Sequence, residues 1–206
     1  MKSDETLDQS SLTILFDKAE SGDPQSQNHL GYLYYKGICV GQNYQKAANW
    51  YEKAANAGYA PAQSQLGSMY FSGKGIQQNY QEALAWLQRA AEQNYPQAQN
   101  IISRMYLAGL GVEASAEKAF FWEREAAKNG NVASQGNLGN HHLMGCGTPR
   151  NKVAAYTWYS IAVKNNTRAW RVRVMRFILG ALMKRAELAE ADEAVSKLWI
   201  NHENAA

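Results

Sequence analysis

Four tryptophans, Trp50, Trp86, Trp122 and Trp158, stand at equal intervals of 36 residues. Shifting the chain by the same interval superposes much more. Leu30, Leu66, Ile102 and Leu138 form one column, each followed by Gly31, Gly67, Ser103 or Gly139. Tyr34, Tyr70, Tyr106 and His142 form another, and Gly37, Gly73, Gly109 and Gly145 a third. Two alanine columns run through Ala47, Ala83, Ala119, Ala155 and through Ala54, Ala90, Ala126, Ala162. So many columns in one register define a repeat, and a unit of 36 residues cannot bury its apolar face alone, so the units must stack.

Within a unit the local signals read helix, turn, helix. Ala62, Leu66 and Tyr70 recur at spacing four on a first helix, which Gly73 and Gly75 then break. Asn79 is suited to cap a second helix carrying Ala83, Trp86, Leu87 and Ala90, and Asn43, Ser115 and Asn151 share its column. That helix should end near Gly58, Asn94, Gly130 and Asn166, residues tolerant of a left-handed cap. The glycine and alanine columns admit close helix approach, while Trp and Tyr fill the wider gaps. The expected fold class is all-α, an α-solenoid of helix-turn-helix repeats.

The pattern reads HLGYLYYKG then KAANWYEKAANAG from His29 to Gly58, and QLGSMYFSGKGIQQNYQEALAWLQRAAEQN from Gln65. It resembles the Sel1-like repeat family, a tetratricopeptide-like group of right-handed α-solenoids, with a 36-residue period and a G-x-G break. The resemblance places repeats at 24–59, 60–95, 96–131 and 132–167 of a single solenoid domain. Residues 10–23 form an N-terminal half-repeat with Ile14 in the Trp column, and 168–206 a degenerate repeat and capping helix. In the latter, Trp170 to Arg185 continues the first-helix register with Val174 and Ile178 in the Leu and Tyr columns. Ala189 to His202 closes the chain with Ala191, Val195 and Trp199 at spacing four. Ser103 and His142 depart from the Gly and Tyr columns.

The resemblance implies a non-enzymatic adaptor or scaffold for protein partners, as in bacterial signalling or chaperone-type assemblies, with no catalytic residues and no cofactor. Stacked first helices line the concave face of such a solenoid, so positions opposite the Leu and Tyr stripe of the first helix are the candidate concave groove, where a peptide or helix of the partner would lie. They are His29, Tyr32 and Lys36; Gln65, Ser68 and Ser72; Ile101, Arg104 and Ala108; Asn137, Asn140 and Met144; and Arg173 and Arg176. These columns vary where the core columns do not.

The net charge of +3 is uneven. Residues 164–185 hold seven basic residues (Lys164, Arg168, Arg171, Arg173, Arg176, Lys184, Arg185) and no acid. This segment either meets an acidic partner, nucleic acid or an anionic surface, or pairs with Glu187, Glu190, Asp192 and Glu193 on the next helix; pairing is the favoured reading. Nucleic acid is disfavoured because no known reader motif accompanies the charge.

Chemistry finds little foothold. There is no GxSxG, HExxH or P-loop lysine, and Glu123 and Glu125, two apart on a helix, diverge. Adjacent His141 and His142 point about 100° apart, so a metal site with Cys146 is not expected, and His142 is expected to pack in the core. Cysteine-rich relatives linked to β-lactam binding or hydrolysis supply an enzymatic alternative, but their disulfide framework is missing here. Two lone cysteines, Cys39 and Cys146, and a start lacking export features point to reduced thiols and a cytoplasmic location. No apolar run reaches the roughly 20 residues needed to span a bilayer.

Overall fold

The computed structural model describes residues 8–166 and 170–203, with side chains to residue 198. Arg168 and the side chain of Trp199 therefore lie outside the described residues. Among these there are eleven helices and no strand. They are α1 (Gln9–Glu20), α2 (Pro24–Lys36), α3 (Tyr44–Asn56), α4 (Ala60–Ser72), α5 (Tyr80–Glu92), α6 (Pro96–Ala108), α7 (Ala116–Lys128), α8 (Val132–Met144), α9 (Lys152–Asn165), α10 (Trp170–Leu182) and α11 (Arg185–Glu203). Consecutive helices pack in a solenoid, within two compact units, residues 1–101 and 102–206.

The helix boundaries follow from caps. Side-chain oxygens of Asn43, Asn79, Ser115 and Asn151 accept amides at the starts of α3, α5, α7 and α9, at 2.9–3.2 Å. Asp23 and Asn131 do the same for α2 and α8. Each cap satisfies a donor that the first helical turn leaves unpaired, worth about 1 kcal/mol. Gly58, Asn94 and Gly130 take the left-handed conformation after the second helices. Asn166 does not. It is extended at φ −143° and ψ 94°, and α9 gains a residue over its counterparts.

In the first unit, Leu30, Leu33, Leu66 and Met69 are buried with Ala47, Ala54 and Tyr51. Each fully buried aliphatic side chain contributes roughly 1.5–3 kcal/mol. The glycine column sets how closely the hairpin closes: a Cβ on Gly31 would lie 2.7 Å from the Tyr51 ring, and one on Gly67 2.7 Å from Leu87. Trp50, Trp86, Trp122 and Trp158 are half-buried rather than enclosed. Lys53 lies over the Trp50 ring at 4.1 Å and Arg89 over Trp86 at 4.5 Å.

The second unit varies this scheme. Glu123 falls in the column of Tyr51, Leu87 and Tyr159, yet it is only 1% exposed. Opposite it Ser103 replaces glycine, and its hydroxyl donates to the Ala119 carbonyl at 2.9 Å. Removing the ring from one column makes room for a hydroxyl in the other. Glu123 and Glu125 diverge as expected: Glu123 accepts from Asn137 Nδ2 at 2.8 Å, while Glu125 pairs with Arg124 and Lys128 on the surface.

A column of glutamines joins successive hairpins. Gln27, Gln63, Gln99 and Gln135 are buried, and each donates its amide to an alanine carbonyl near the end of the preceding helix (Ala19, Ala55, Ala91, Ala127; 3.0–3.3 Å). These carbonyls sit where a helix runs out of its own donors. The column has the same 36-residue period as the tryptophans and was readable in the sequence, though apolar periodicity does not draw attention to it.

The chain's last two helices depart from the expected register. Leu179, Met183 and Ala191 pack with Ala155 and Tyr159 of α9, so α10 presents Val172, Met175 and Leu179 inward. Val174 and Ile178, expected in core columns, are exposed. Ala191 and Val195 are buried on α11 as expected, and that helix begins earlier, at Arg185.

Candidate partner-binding surface

Burial of the Leu column of each first helix leaves the opposite columns facing outward. In the first unit His29, Tyr32, Lys36, Gln65 and Ser72 are exposed, and Ser68 and Ile101 half-exposed. Ser72 donates its hydroxyl to the Ser68 carbonyl, so it is held against its own helix. Tyr32 and Lys36 belong to a larger arrangement. The Lys36 ammonium lies 6.0 Å from the Tyr32 ring centre and 5.9 Å from that of Tyr35. Tyr35 meets Tyr44 edge-on at 5.2 Å. Lys74, from the turn after α4, donates to the Tyr35 hydroxyl at 3.3 Å and lies over the Tyr35 and Tyr44 rings. That hydrogen bond holds the Lys74 ammonium above its ordinary pKa.

Tyr35, Tyr44 and Lys74 are the members that sequence reasoning missed. Tyr35 sits beside the core Tyr column, and Lys74 lies in a turn 39 residues away. Only the folded hairpins bring them together. Three phenols and two ammonium groups at one surface combine stacking faces, hydroxyl donors and positive charge.

In the second unit Arg104, Asn137, Asn140, Met144 and Arg173 are exposed, and Arg176 is half-buried with its guanidinium over Tyr156 at 5.7 Å. Asn137 and Asn140 are occupied internally. The first donates to Glu123; the second accepts the Tyr159 hydroxyl at 2.7 Å. Burial pushes the Tyr159 phenol up to about 12, which keeps it a donor. On α11, Glu187 pairs with Lys152 at 3.8 Å and Glu193 with Lys197 at 2.7 Å, and Glu187 also accepts the Lys184 backbone amide at 2.8 Å. Lys152 reaches Glu187 because α11 packs on α9.

The histidines show no metal geometry. His141 is buried with Nδ1 2.7 Å from the Cys146 carbonyl oxygen, and His142 packs edge-on against Phe120. Burial, then the neighbouring His141, holds the His142 pKa below its ordinary value. Among the described residues no three His, Cys, Asp or Glu side chains are grouped to hold a metal, and no helix is long and apolar enough to cross a membrane. Cys39 and Cys146 are not joined in a disulfide.

Fold and surface define a helical-repeat solenoid, built of helical hairpins that present side chains outward. The Sel1 repeat matches residues 24–59, 60–95, 96–131 and 132–166, and the chain belongs to the Sel1 repeat family. No curated protein matches the chain. Among solved structures it is similar to a Sel1 repeat protein from Oxalobacter formigenes, at 33% identity and TM-score 0.68, over 76% of this chain and 65% of that one. It also shares its fold with c5321, a protective antigen of uropathogenic Escherichia coli strains displaying an SLR fold. That likeness is at 24% identity and TM-score 0.59, over 91% of this chain. The chain thus spans about two thirds of the first protein's length (65%) and about half of the second's (48%).

Proposed function

We propose that this protein is a non-enzymatic scaffold that binds a partner protein through the surface of its first unit formed by α2, the start of α3 and the turn after α4, with an acidic peptide or helix as the preferred ligand. The observation that carries the reading is the cluster of Tyr32, Tyr35, Lys36, Tyr44 and Lys74 on the first unit. Rigid aromatic faces beside ammonium groups suit carboxylate-bearing segments, because stacking and charge act together at little loss of side-chain entropy. Family membership supports the scaffold reading, since Sel1 repeats are interaction modules.

The test is affinity purification with crosslinking from the native cell. A partner recovered by the native chain and lost by Lys36→Glu with Lys74→Glu supports the reading. Equal recovery by that variant refutes the surface assignment. Turnover of a chromogenic β-lactam by the pure protein would overturn the non-enzymatic part.

A further inference from the structure

The first helices of the four repeats bury the same columns. Ser26, Ala62, Ala98 and Ser134 are buried, as are Leu30, Leu66, Ile102 and Leu138, and Leu33, Met69, Met105 and His141. The corresponding residues of α10 are Trp170, Val174 and Phe177, and all three are exposed, with Ile178 and Leu182 beside them. Phe177 is 78% exposed, Leu182 70% and Trp170 66%. At 100° per residue these five side chains fall within an arc about 140° wide, with Arg171 set between Ile178 and Leu182. The opposite face of α10 is spent on α9. A helix apolar on both faces is covered on both faces, and a ridge of this size, on the order of 600 Å², matches or exceeds the largest apolar patch usual on a monomer.

Charge narrows what covers it. Arg171, Arg173, Lys184 and Arg185 are exposed around the ridge, and no acid occurs from residue 164 to residue 185. Even with α11 included, residues 164–203 carry eight basic residues against five acidic. Glu187 and Glu193, on α11, are already paired. Beside Phe177, a cleft of about 340 Å³ is lined by Val163, Arg173, Arg176 and Phe177. Two arginines and two apolar residues lining one cleft beside the ridge suit an anionic, amphipathic ligand such as a phosphodiester with acyl chains. Trp and Phe on the apolar face with Arg at its rim is the composition of a helix lying in a membrane interface.

We propose that α10 is a docking face for an anionic phospholipid surface. Trp170, Val174, Phe177, Ile178 and Leu182 enter the headgroup–acyl boundary, Arg171 and Lys184 contact anionic headgroups, and Arg173 with Arg176 holds one phosphate. The aromatic–ammonium cluster of the first unit takes no part.

The experiment is co-sedimentation of the full chain with vesicles of phosphatidylcholine containing about one third phosphatidylglycerol, against phosphatidylcholine alone. Binding to the anionic vesicles is expected, about tenfold weaker on phosphatidylcholine. It should also fall about tenfold for Phe177→Ser with Leu182→Ser, and for Arg173→Glu with Arg176→Glu. Phe177 and Leu182 are exposed, so the serine variant should melt with the native chain, which circular dichroism checks. Equal binding to both vesicle types, binding unaffected by the serine variant, or no binding at all overturns the proposal. So does a dimer in light scattering that the serine variant abolishes, which would give the ridge to a second copy.

Discussion

The glutamine column supports a prediction worked from two hydrogen bonds. Gln63 Oε1 accepts from Gln93 at 2.9 Å, and Gln135 Oε1 accepts from Asn165 at 2.8 Å. Thirty-six residues before Gln93 stands Ala57, which has no side-chain donor, and Gln27 Oε1 is buried without a hydrogen bond. The backbone is already suitable: Ala57 has φ −77° and ψ 4°, Gln93 φ −88° and ψ 16°. Ala57→Gln should therefore place an amide on Gln27. An orphaned buried acceptor costs about 1–3 kcal/mol, and ordering one glutamine side chain returns about 1–2 kcal/mol of that as lost entropy. The net expectation is a gain of about 0.5–1 kcal/mol. Repeat arrays do not unfold as a single cooperative unit, so the sensitive assay is native-state hydrogen exchange of α1 and α2, with thermal melting as a second reading. Protection there should rise two- to fivefold, since a 1.4 kcal/mol change is about tenfold in an opening constant. The converse variant, Gln93→Ala, should lower protection around Gln63. The reasoning is refuted if Ala57→Gln protects equally in a Gln27→Leu background, because the gain would then owe nothing to Gln27.

Three further outcomes follow from particular positions. Cys39 occupies the column of Gly75, Gly111 and Gly147 and holds a left-handed φ of 58°, so Cys39→Gly should stabilise by about 0.5 kcal/mol in a melt, while Cys39→Ala should not. A lower melting temperature for the glycine variant would refute this. His142 has a lowered folded pKa: both states are neutral above about pH 7, but as pH falls the unfolded chain takes a proton that the folded one resists. Stability should thus decline between pH 7 and 5, and His142→Tyr, restoring the column of Tyr34, Tyr70 and Tyr106, should show a smaller drop in melting temperature. An undiminished drop would trace the effect to other groups. Asn137→Ala removes a partner of buried Glu123 and should cost about 1–2 kcal/mol in urea unfolding, whereas exposed Gln65→Ala should fall within about 0.5 kcal/mol. Equal effects would place Glu123's support elsewhere.

Much of the architecture was legible because it is local and repeated. The 36-residue period, the Asn and Ser caps and the glycine stops each act within one or two turns of chain, so the sequence alone determined the helix-turn-helix units of the four repeats and the burial of the Leu and Ala columns. The period also carries the family, and family membership carries the expectation of a binding scaffold. What it does not carry is the register of an element that breaks the repeat. Extending the columns into α10 put Val174 and Ile178 in the core, but Leu179 and Met183 won that place by packing with Ala191 of α11 on α9. A helix with apolar residues on two faces has no single periodic face, and only its neighbours decide which side turns in. The same holds for the surface. Tyr32 and Lys36 were identifiable from their column, whereas Tyr35, Tyr44 and Lys74 join them through hairpin closure. Asn137 and Asn140, outward by column, turned to Glu123 and Tyr159 because a buried carboxylate and a buried phenol require partners. Periodicity determined what this chain could stack into; tertiary packing decided which of its unrepeated side chains remained available to anything else.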